Sequence, residues 1–512
     1  MRRMRRRDLL SGGAAAAVGL SAARALPVPP RQVARVLGAE ERRFLGDFDG
    51  WLSAALRRLP TVPGLSVAVA RGRGLIFAAG YGLADRERGI TADPHIGFYI
   101  ASSTKSFVAL AFARLAAEGR IDLGASMAAL APDVGFAAEV RAREVTLRHL
   151  LSHSHGLVSE GMEFRLAYSG EHDLATLWRL LGRVKPNTKA SLGTFDYSNL
   201  GYNVAALLIE RKLGRSWQAL LEETVLRPLG LRETLARGVG RSPVALAAPY
   251  AGTERLYLAK TDANMQSAGG MYASAADMAG WLALHLAAER GGRRVAYPPA
   301  PVRTTHAPAV AVGQTFGPFA RAAYGLGWYS GPYRGATLYH SFGSYTGARA
   351  HTSFLPARDL GVAILANDQD AGFQLVDIAA AYAYDWFLIG PEAAARAAEE
   401  MLARLEAAEQ RLLAGRAADR ARRAARAWRL SLPRAAYRGR YCNADWGTIE
   451  VGVAGDALTA RMGLLHAVAE PFTAEDSARV ELIPLEGEVL QFVVKDGAVE
   501  AVRAKGAVFA RC

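Results

Sequence analysis

Ser102 and Lys105 have the residue types and the spacing of a serine nucleophile and its activating base. An apolar run ends at Ala101, and the pattern over Thr104–Glu118 predicts a helix, so the pair lies at a strand-to-helix corner. Residues three apart share a face of the first helical turn, which brings the lysine amine to the serine hydroxyl. Burial would lower the pKa of this amine, so that it accepts the hydroxyl proton. The N–H groups of the helix N-terminus favour a developing oxyanion.

Tyr197 and Asn199 are candidates for the remaining polar groups, because they lie just before a second apolar helix. A tyrosine hydroxyl beside a cationic lysine would titrate low enough to act as a base or a proton shuttle. Asn199 would hold the lysine and a substrate carbonyl. Spacing alone does not decide, because Y-x-N recurs at 441–443 and because Ser102 also fits a helix-capping serine beside a solvated lysine.

The order of these motifs resembles that of serine β-lactamases and penicillin-binding proteins, in the branch of class C β-lactamases, esterases and D-aminopeptidases. S-x-x-K is followed by Y-x-N and by a Gly-rich strand, and the resemblance covers roughly residues 45–390. Further segments follow in the family's order: Leu150–Leu157, Leu226–Thr234, Ser267–Met271 and Tyr324–Trp328. The resemblance implies a β-lactamase/transpeptidase-like α/β (α+β) fold, in which helices pack on an antiparallel sheet.

The resemblance also implies a role for each matched residue. Ser102 would be the acylated nucleophile and Lys105 its activating partner. Tyr197 would be the general base or shuttle, and Asn199 a positioning amide. The oxyanion hole would combine the Ser102 backbone N–H with an N–H of the late strand, for which we expect Ser344. We expect no cofactor and no metal.

The third motif departs from the family pattern. β-lactamases carry K-T-G or K-S-G at this point and many esterase-like members carry H-x-G, whereas this chain has YHSFGSYTGA over 339–348. Counting back from Gly343 places Ser341 at the first position, and a shift of one residue places His340 there as a substrate-binding residue. The absent lysine removes the usual anchor for a β-lactam or peptide carboxylate. This favours ester or amide substrates over efficient antibiotic hydrolysis.

Composition argues against other classes of protein. The net charge of +14 comes mostly from arginines scattered among alanines, without a long basic block, so we expect no nucleic-acid partner. The pair His153 and His155 has no carboxylate or further histidine close in sequence, which argues against a metal site. We expect structural roles for these two residues and for His351.

Residues 1–25 fit a twin-arginine export signal, with RRDLL over 6–10 and a small-x-small cleavage site at 23–25. The apolar stretch between them is too short for a membrane span, and a disordered basic tail is the alternative. We therefore expect a periplasmic or secreted protein without stable membrane insertion. An oxidising compartment would permit a disulfide between Cys442 and Cys512, and two unpaired cysteines are the alternative.

Hydrophobic periodicity predicts the elements that position these residues. We expect helices at Glu40–Leu59, Thr104–Glu118, Asn203–Leu213 and Trp217–Leu226, a hairpin of Leu65–Ala70 and Leu75–Gly80, and strands at Tyr324–Ser330, Ala348–Phe354 and Leu360–Leu365. They form a hydrolase domain over 40–390. Ala, Arg and Glu at helical spacing predict a solvated connecting helix over 391–430. Short alternating runs predict a small all-β, barrel-like domain over 431–512.

Together these residues predict an exported serine hydrolase that forms an acyl-enzyme at Ser102 with a small-molecule ester, amide or peptide substrate. A D-amino-acid peptidase is the nearest alternative among enzymes, and a weak class C-like β-lactamase is a second. A penicillin-binding or cell-wall-peptide-binding protein without significant turnover is the alternative outside catalysis. The sequence leaves the oligomeric state open.

Overall fold

The computed structural model describes residues 37–72, 74–291 and 297–512. The predicted export signal, residues 1–25, lies outside this part of the chain. Within the described ranges, no helix combines the length and the apolar composition that crossing a bilayer requires.

The helices of the described residues are mostly short and concentrated between the second and tenth strands. They are α1 (Ala39–Arg58), α2 (Thr104–Ala117), α3 (Met127–Leu130), α4 (Leu147–Leu151), α5 (Glu160–Phe164), α6 (Leu174–Leu181), α7 (Leu200–Leu213), α8 (Trp217–Leu221), α9 (Arg227–Leu229), α10 (Ala275–Glu289), α11 (Pro299–His306), α12 (Ala371–Leu388), α13 (Pro391–Ala424) and α14 (Arg434–Tyr437). Two π-helical turns, Arg165–Ser169 and Glu222–Leu226, continue α5 and α8.

The strands of the first part of the chain form a central sheet and three short pairs. They are β1 (Gly64–Arg71), β2 (Gly74–Asp85), β3 (Ile90–Thr91), β4 (Phe98–Tyr99), β5 (Leu157–Val158), β6 (Lys185–Pro186), β7 (Tyr250–Ala251), β8 (Glu254–Arg255), β9 (Tyr272–Ala273), β10 (Val310–Phe316), β11 (Phe319–Tyr324), β12 (Tyr329–Tyr333), β13 (Ala336–Tyr345), β14 (Ala348–Leu355) and β15 (Leu360–Ala366). The central sheet is antiparallel, in the order β10-β11-β12-β13-β14-β15-β1-β2-β3. The predicted mixed fold with an antiparallel sheet is confirmed.

Helices cover both faces of this sheet, because its strands are apolar on both sides. In β1 the valines Val67 and Val69 pack with α1 and α12, whereas Ala68 packs with α10 on the other face. Small alanines on that face permit close approach of α10. Each fully buried valine contributes about 1.5–3 kcal/mol to the free energy of unfolding. The face that carries α10 also carries α2, whose N-terminus is the Ser102 corner.

The prediction of one continuous strand over Tyr324–Ser330 is wrong, because the chain leaves the sheet between these residues. β11 ends at Tyr324, β12 begins at Tyr329, and a turn connects them. Gly327 lies in this turn with φ of +84°, and a Cβ atom there would lie 2.9 Å from the Lys105 carbonyl oxygen. The glycine therefore lets the turn pack directly on the first turn of α2, which a continuous strand would not allow.

The helix expected after residue 390 is long, and the prediction that it is solvated is wrong for its first half, whereas residues 410–424 are exposed or half-buried. α13 runs over Pro391–Ala424 and packs along α12. One stripe of it is buried in the core: Ala394, Ala398, Leu402 and Leu405. The spacing of this stripe is helical, and the many charged residues beside it obscured it in the sequence.

The C-terminal residues form a second antiparallel sheet of nine strands that is nearly closed into a barrel. Its strands are β16 (Gly439–Asn443), β17 (Gly447–Ala454), β18 (Ala457–Met462), β19 (Leu465–Val468), β20 (Glu470–Pro471), β21 (Ser477–Ile483), β22 (Glu486–Lys495), β23 (Ala498–Ala504) and β24 (Ala507–Arg511). Phe164 of α5 packs into its core, and the Arg165 Nε atom donates to the Asp445 carbonyl oxygen at 2.7 Å. The barrel therefore contacts the segment that follows α5.

A disulfide joins Cys442 in β16 to Cys512, with Cα atoms 5.9 Å apart. The sequence left open whether these cysteines pair. They come together because β16 pairs antiparallel with β24, which ends one residue before Cys512. The bond therefore ties the C-terminus to the first strand of the barrel.

Replacing both cysteines by serine should lower the free energy of unfolding of the barrel by about 2–4 kcal/mol, since the bond closes a long loop in the unfolded chain. Urea unfolding followed by tryptophan fluorescence measures this difference, and the reduced wild type should match the variant. An unfolding midpoint equal to that of the oxidised wild type would show that the disulfide adds no stability.

Candidate active site

The candidate nucleophile, Ser102, lies in a 3₁₀ turn, Ala101–Ser103, that begins α2. Ala101 has φ of +45°, a left-handed conformation that costs a non-glycine residue about 1–3 kcal/mol and concentrates at functional sites. Ser102 is half-buried, whereas Ser103 and Thr104 beside it are fully buried. The turn therefore presents the Ser102 hydroxyl at the N-terminus of a buried helix.

Three oxygen atoms surround the Nζ atom of Lys105, which is 1% exposed. Nζ lies 3.0 Å from Ser102 Oγ, 2.8 Å from Asn199 Oδ1 and 2.6 Å from the Ala268 carbonyl oxygen. An ammonium group has three N–H donors, which these acceptors match. A neutral amine keeps two donors, for Asn199 and Ala268, and its lone pair then accepts the Ser102 proton.

Burial lowers the pKa of Lys105 from 10.5 to about 7, and the carboxylate of Glu163 opposes part of this shift. A substantial fraction of the lysine is therefore uncharged near neutral pH. A base whose pKa lies close to the working pH is largely unprotonated and still has a high enough proton affinity to accept the proton. The geometry and the pKa together suit Lys105 to take the hydroxyl proton.

The ring centroid of Tyr197 lies 4.8 Å from Lys105 Nζ, which places the phenol next to the Ser102–Lys105 pair. Burial raises the pKa of Tyr197 above the usual value of 10. The sequence predicted the opposite shift, from the charge of the lysine. That prediction is wrong because desolvation dominates and because Lys105 loses its charge near neutral pH. Tyr197 is therefore a phenol able to donate a proton, rather than a resident phenolate.

Glu163 of α5 supports the Tyr197–Asn199 turn, and the sequence analysis missed it. Its carboxylate oxygen Oε1 accepts hydrogen bonds from Ser198 Oγ at 3.1 Å and from the Leu200 N–H at 2.8 Å. Burial raises the pKa of Glu163. The signal in the sequence was one glutamate between Met and Phe in a short helix, and no spacing connected it to the Y-x-N motif.

The third acceptor of Lys105 is held in place by α7. Asn203 Nδ2 donates to Gln266 Oε1 at 2.5 Å, and its Oδ1 accepts from Ser267 Oγ and the Ala268 N–H at 3.1 and 3.3 Å. These bonds fix the segment whose Ala268 carbonyl oxygen meets the lysine. The Ser267–Met271 motif thus has a direct structural role in the site.

Strand β13 passes directly beside the Ser102 corner because Gly343 has no side chain. A Cβ atom at Gly343 would lie 1.9 Å from the nearest backbone carbonyl oxygen and 3.0 Å from the Ser102 nitrogen. β12 pairs with β13 only up to the residue before Ser341, so it leaves the following edge uncovered. Ser344 is exposed on that edge. The backbone N–H groups of Ser102 and Ser344 are therefore the candidates for an oxyanion hole.

Side chains alternate along β13, so Ser341 lies on the face of Gly343 and His340 lies on the opposite face. His340 is 1% exposed, and its ring centroid lies 5.5 Å from that of Phe319 and 5.4 Å from that of Tyr329. Ser341 therefore occupies the first position of the third motif. The substrate-binding role predicted for His340 is corrected, because its ring faces away from the nucleophile corner.

His153 and His155 each have a local structural partner. The Nδ1 atom of His153 accepts the Ser198 N–H at 3.3 Å, and its ring centroid lies 4.4 Å from that of Tyr197. The Nδ1 atom of His155 accepts the Leu157 N–H at 3.0 Å. Burial lowers the pKa of both rings, that of His155 to about 4. In the described ranges no three His, Cys, Asp or Glu residues are placed to hold a metal ion.

The fold and this site define the class of protein. The Beta-lactamase family model matches residues 52–385, the part of the chain that contains Ser102, Lys105 and Tyr197. The chain belongs to the β-lactamase family, a family of serine hydrolases that includes esterases and penicillin-binding-protein-like members. The predicted family resemblance is confirmed.

Curated relatives match parts of the chain in sequence. Esterase EstB from Burkholderia gladioli is 31% identical over 219 residues, which are 40% of this chain and 53% of the esterase. Protein flp from Staphylococcus aureus is 26% identical over 173 residues, which are 34% of each chain. The chain therefore spans about a third to a half of the length of these curated relatives.

Solved structures of other proteins share the fold. The octameric penicillin-binding protein homologue from Pyrococcus abyssi has a TM-score of 0.57 and 21% identity, over 91% of this chain and 99% of that one. A class C β-lactamase from Rhodobacter sphaeroides has a TM-score of 0.52 and 22% identity, over 67% of this chain and 98% of that one. The archaeal match extends beyond the hydrolase domain into the barrel, because it covers nearly the whole chain.

The pKa of Lys105 predicts a pH dependence of acylation. The neutral amine is the base, so kcat/KM for an uncharged ester should rise about tenfold between pH 6 and 8, with a midpoint near 7. Initial rates at low ester concentration measure this profile. A profile that is flat over this range, or that rises only above pH 9, would contradict a role for the neutral amine.

Glu163→Gln should lower kcat by about 10-fold, because a neutral amide oxygen holds the Ser198 hydroxyl and the Leu200 N–H more weakly than a carboxylate oxygen does. Loss of the carboxylate should also move the midpoint of the pH profile to lower pH, since Glu163 raises the pKa of Lys105. Glu160→Gln, an exposed position of the same helix, is the matched control. A wild-type kcat and an unchanged midpoint of the pH profile in Glu163→Gln would show that Glu163 neither supports the Tyr197–Asn199 turn nor affects the pKa of Lys105.

Proposed function

We propose that this protein is an exported serine hydrolase that transfers the acyl group of an ester or amide to Ser102 and then to water. The observation that carries the proposal is the bonding around Ser102 Oγ. It lies 3.0 Å from a buried lysine amine whose pKa is about 7, and the ring centroid of Tyr197 lies 4.8 Å from that amine. Family membership supports the same class of reaction.

Acylation follows from these contacts. Ser102 Oγ attacks the substrate carbonyl carbon while its proton moves to the lone pair of Lys105. The oxyanion receives hydrogen bonds from the backbone N–H groups of Ser102 and Ser344. As the tetrahedral intermediate collapses, the phenol of Tyr197 gives its proton to the departing oxygen or nitrogen. The Lys105 ammonium returns a proton to Tyr197, so the amine is neutral again.

Deacylation uses the same groups, with water as the nucleophile and Ser102 Oγ as the leaving group. A water molecule attacks the acyl carbon and gives its proton to the neutral Lys105 amine, directly or through Tyr197. Collapse of the second intermediate breaks the bond to Ser102 Oγ, which regains a proton from the lysine side. The acid product leaves and the starting protonation state is restored.

The third motif supports esters as the favoured substrate class. Ser341 replaces the lysine that would bind a β-lactam or peptide carboxylate in the family's antibiotic-hydrolysing members, so such a carboxylate finds no cation there. The 31% identity to esterase EstB points in the same direction. D-amino-acid amides and peptides are the second candidate, because an amide leaving group needs the same proton donation from Tyr197.

Export is the further part of the proposal. The RRDLL segment over 6–10 fits a twin-arginine signal, and this route carries proteins that have already folded. The disulfide between Cys442 and Cys512 supports an oxidising compartment, since such bonds are rare in the cytosol. We therefore propose a periplasmic or secreted location.

Ser102→Ala should abolish labelling by a fluorophosphonate probe and lower kcat/KM for p-nitrophenyl esters by roughly four orders of magnitude or more. Ser103→Ala is the matched control, because its buried Oγ has no hydrogen-bond partner among the described residues. Intact-mass measurement after incubation with the probe reads the adduct. Equal labelling of Ser102→Ala and wild type would disprove the proposed nucleophile.

A substrate panel separates the proposed activity from its rivals. We expect turnover of p-nitrophenyl esters to exceed that of D-alanyl amides, and both to exceed that of a chromogenic cephalosporin. Like Ser102→Ala, the variant Tyr197→Phe should lose ester turnover, because phenylalanine has no hydroxyl to donate a proton to the leaving group. Probe labelling without turnover of any of the three would favour a binding protein, and a cephalosporin as the best substrate would favour a β-lactamase.

A further inference from the structure

Two arginines are buried between the central sheet and α12. Arg349 of β14 is 0% exposed and Arg321 of β11 is 5% exposed. Both lie over the same two phenyl rings: the Cζ atom of Arg321 is 4.2 Å from the centroid of Phe316 and 4.5 Å from that of Phe342, and for Arg349 these distances are 5.2 and 5.0 Å. Two like charges therefore share one small apolar enclosure.

One carboxylate, that of Asp377, faces this pair of arginines, and each of its two oxygens already has a hydrogen-bond partner. Asp377 of α12 accepts from Arg349 Nη2 at 2.8 Å through one oxygen, and its other oxygen lies 2.6 Å from His351 Nδ1. Its charge balances a single guanidinium group. A guanidinium group keeps its proton in proteins, so the second positive charge stays. His340, the other ring near the cluster, contributes no negative charge, and burial lowers its pKa well below the usual value.

Four buried N–H-bearing nitrogens of these arginines have no acceptor within the described part of the chain. They are Nε and Nη2 of Arg321, and Nε and Nη1 of Arg349. Aromatic rings attract a guanidinium group through their faces, but they do not accept the in-plane N–H bonds. Buried polar groups in folded proteins are almost always paired, so this number of unpaired donors on two adjacent cations indicates a missing anionic partner.

The enclosure is close to solvent. A cleft of about 570 Å³ opens between the β10–β11 hairpin and helices α12 and α13, and its wall includes Phe316, Phe373 and Asp377. The ring centroid of Phe373 lies 4.1 Å from Arg349 Cζ, and 6.4 Å from the centroid of Phe316. The arginines therefore lie directly behind a wall of two phenyl rings.

We propose that a small monovalent anion of halide size binds between Arg321 and Arg349. Its charge neutralises the second guanidinium group, and the unpaired N–H groups supply its ligands. The anion site lies on the His340 face of β13, opposite Ser341 and Gly343, and this proposal does not rest on the acyl-transfer proposal. The ring of Phe342 forms its boundary toward Tyr197, with 6.3 Å between the two ring centroids.

Thermal unfolding tests the site through mass action, since an ion that binds only the folded state raises Tm with its concentration. Sodium chloride or bromide is titrated against sodium gluconate at constant ionic strength, because gluconate is too large for the enclosure. Wild type should gain several degrees in Tm as halide replaces gluconate. An unchanged Tm over this exchange would overturn the proposal.

Arg321→Met keeps a side chain of similar length between the rings and removes the unbalanced charge. This variant should lose the halide dependence, and in gluconate its Tm should equal or exceed that of wild type. Arg404→Met, at an exposed residue of the same cleft, is the matched control and should keep the full halide response. A halide response in Arg321→Met equal to that of wild type would overturn the proposal.

Anomalous diffraction from a crystal of the full-length protein grown in bromide locates the ion directly. We expect an anomalous peak within about 3.5 Å of nitrogen atoms of both arginines. The same data for Arg321→Met should lack the peak. Wild-type crystals without a peak between the two side chains would overturn the assignment.

Discussion

The burial of the Lys105 amine is the constraint on which the site depends. A lysine with 1% exposure loses its hydration, and no carboxylate of the described residues lies within hydrogen-bond distance to replace it. The uncharged form therefore becomes accessible near neutral pH, and its lone pair points at the Ser102 hydroxyl. An exposed lysine at the same spacing would remain an ammonium ion and would activate nothing.

The rest of the fold maintains this environment. The Gly327 turn and the Gly343 strand both approach the first turn of α2 more closely than a side chain would allow. Glu163 fixes the turn that carries Tyr197 and Asn199, and Asn203 fixes the carbonyl oxygen of Ala268. The C-terminal barrel joins this support, because Phe164, the residue after Glu163, lies in the barrel core.

Local patterns were sufficient to predict the elements and the principal site residues. The apolar run before Ser102, the Ala- and Leu-rich α2 and the valines of β1 each determine one element by periodicity, and the motif order indicated the family. Features that depend on contacts distant in sequence were not predictable. The turn at Gly325–Trp328 depends on packing against α2, and the buried stripe of α13 depends on α12.

The same limit applies to the chemistry of single residues. Spacing left His340 and Ser341 equivalent, and the close approach of Gly343 to the nucleophile corner distinguishes them. The expected low pKa of Tyr197 followed from the neighbouring lysine charge, whereas burial of both groups reverses the assignment. We therefore propose the lysine as the proton acceptor and the tyrosine as the donor.

Direct titration of the Lys105 amine tests this assignment most directly. The chain has seven lysines, so a spectrum of protein labelled with ¹⁵Nζ-lysine is simple, and the signal absent from Lys105→Ala identifies Lys105. The account predicts a chemical-shift midpoint near pH 7. A midpoint near the ordinary lysine value of about 10.4 would show that the amine stays charged and is not the base.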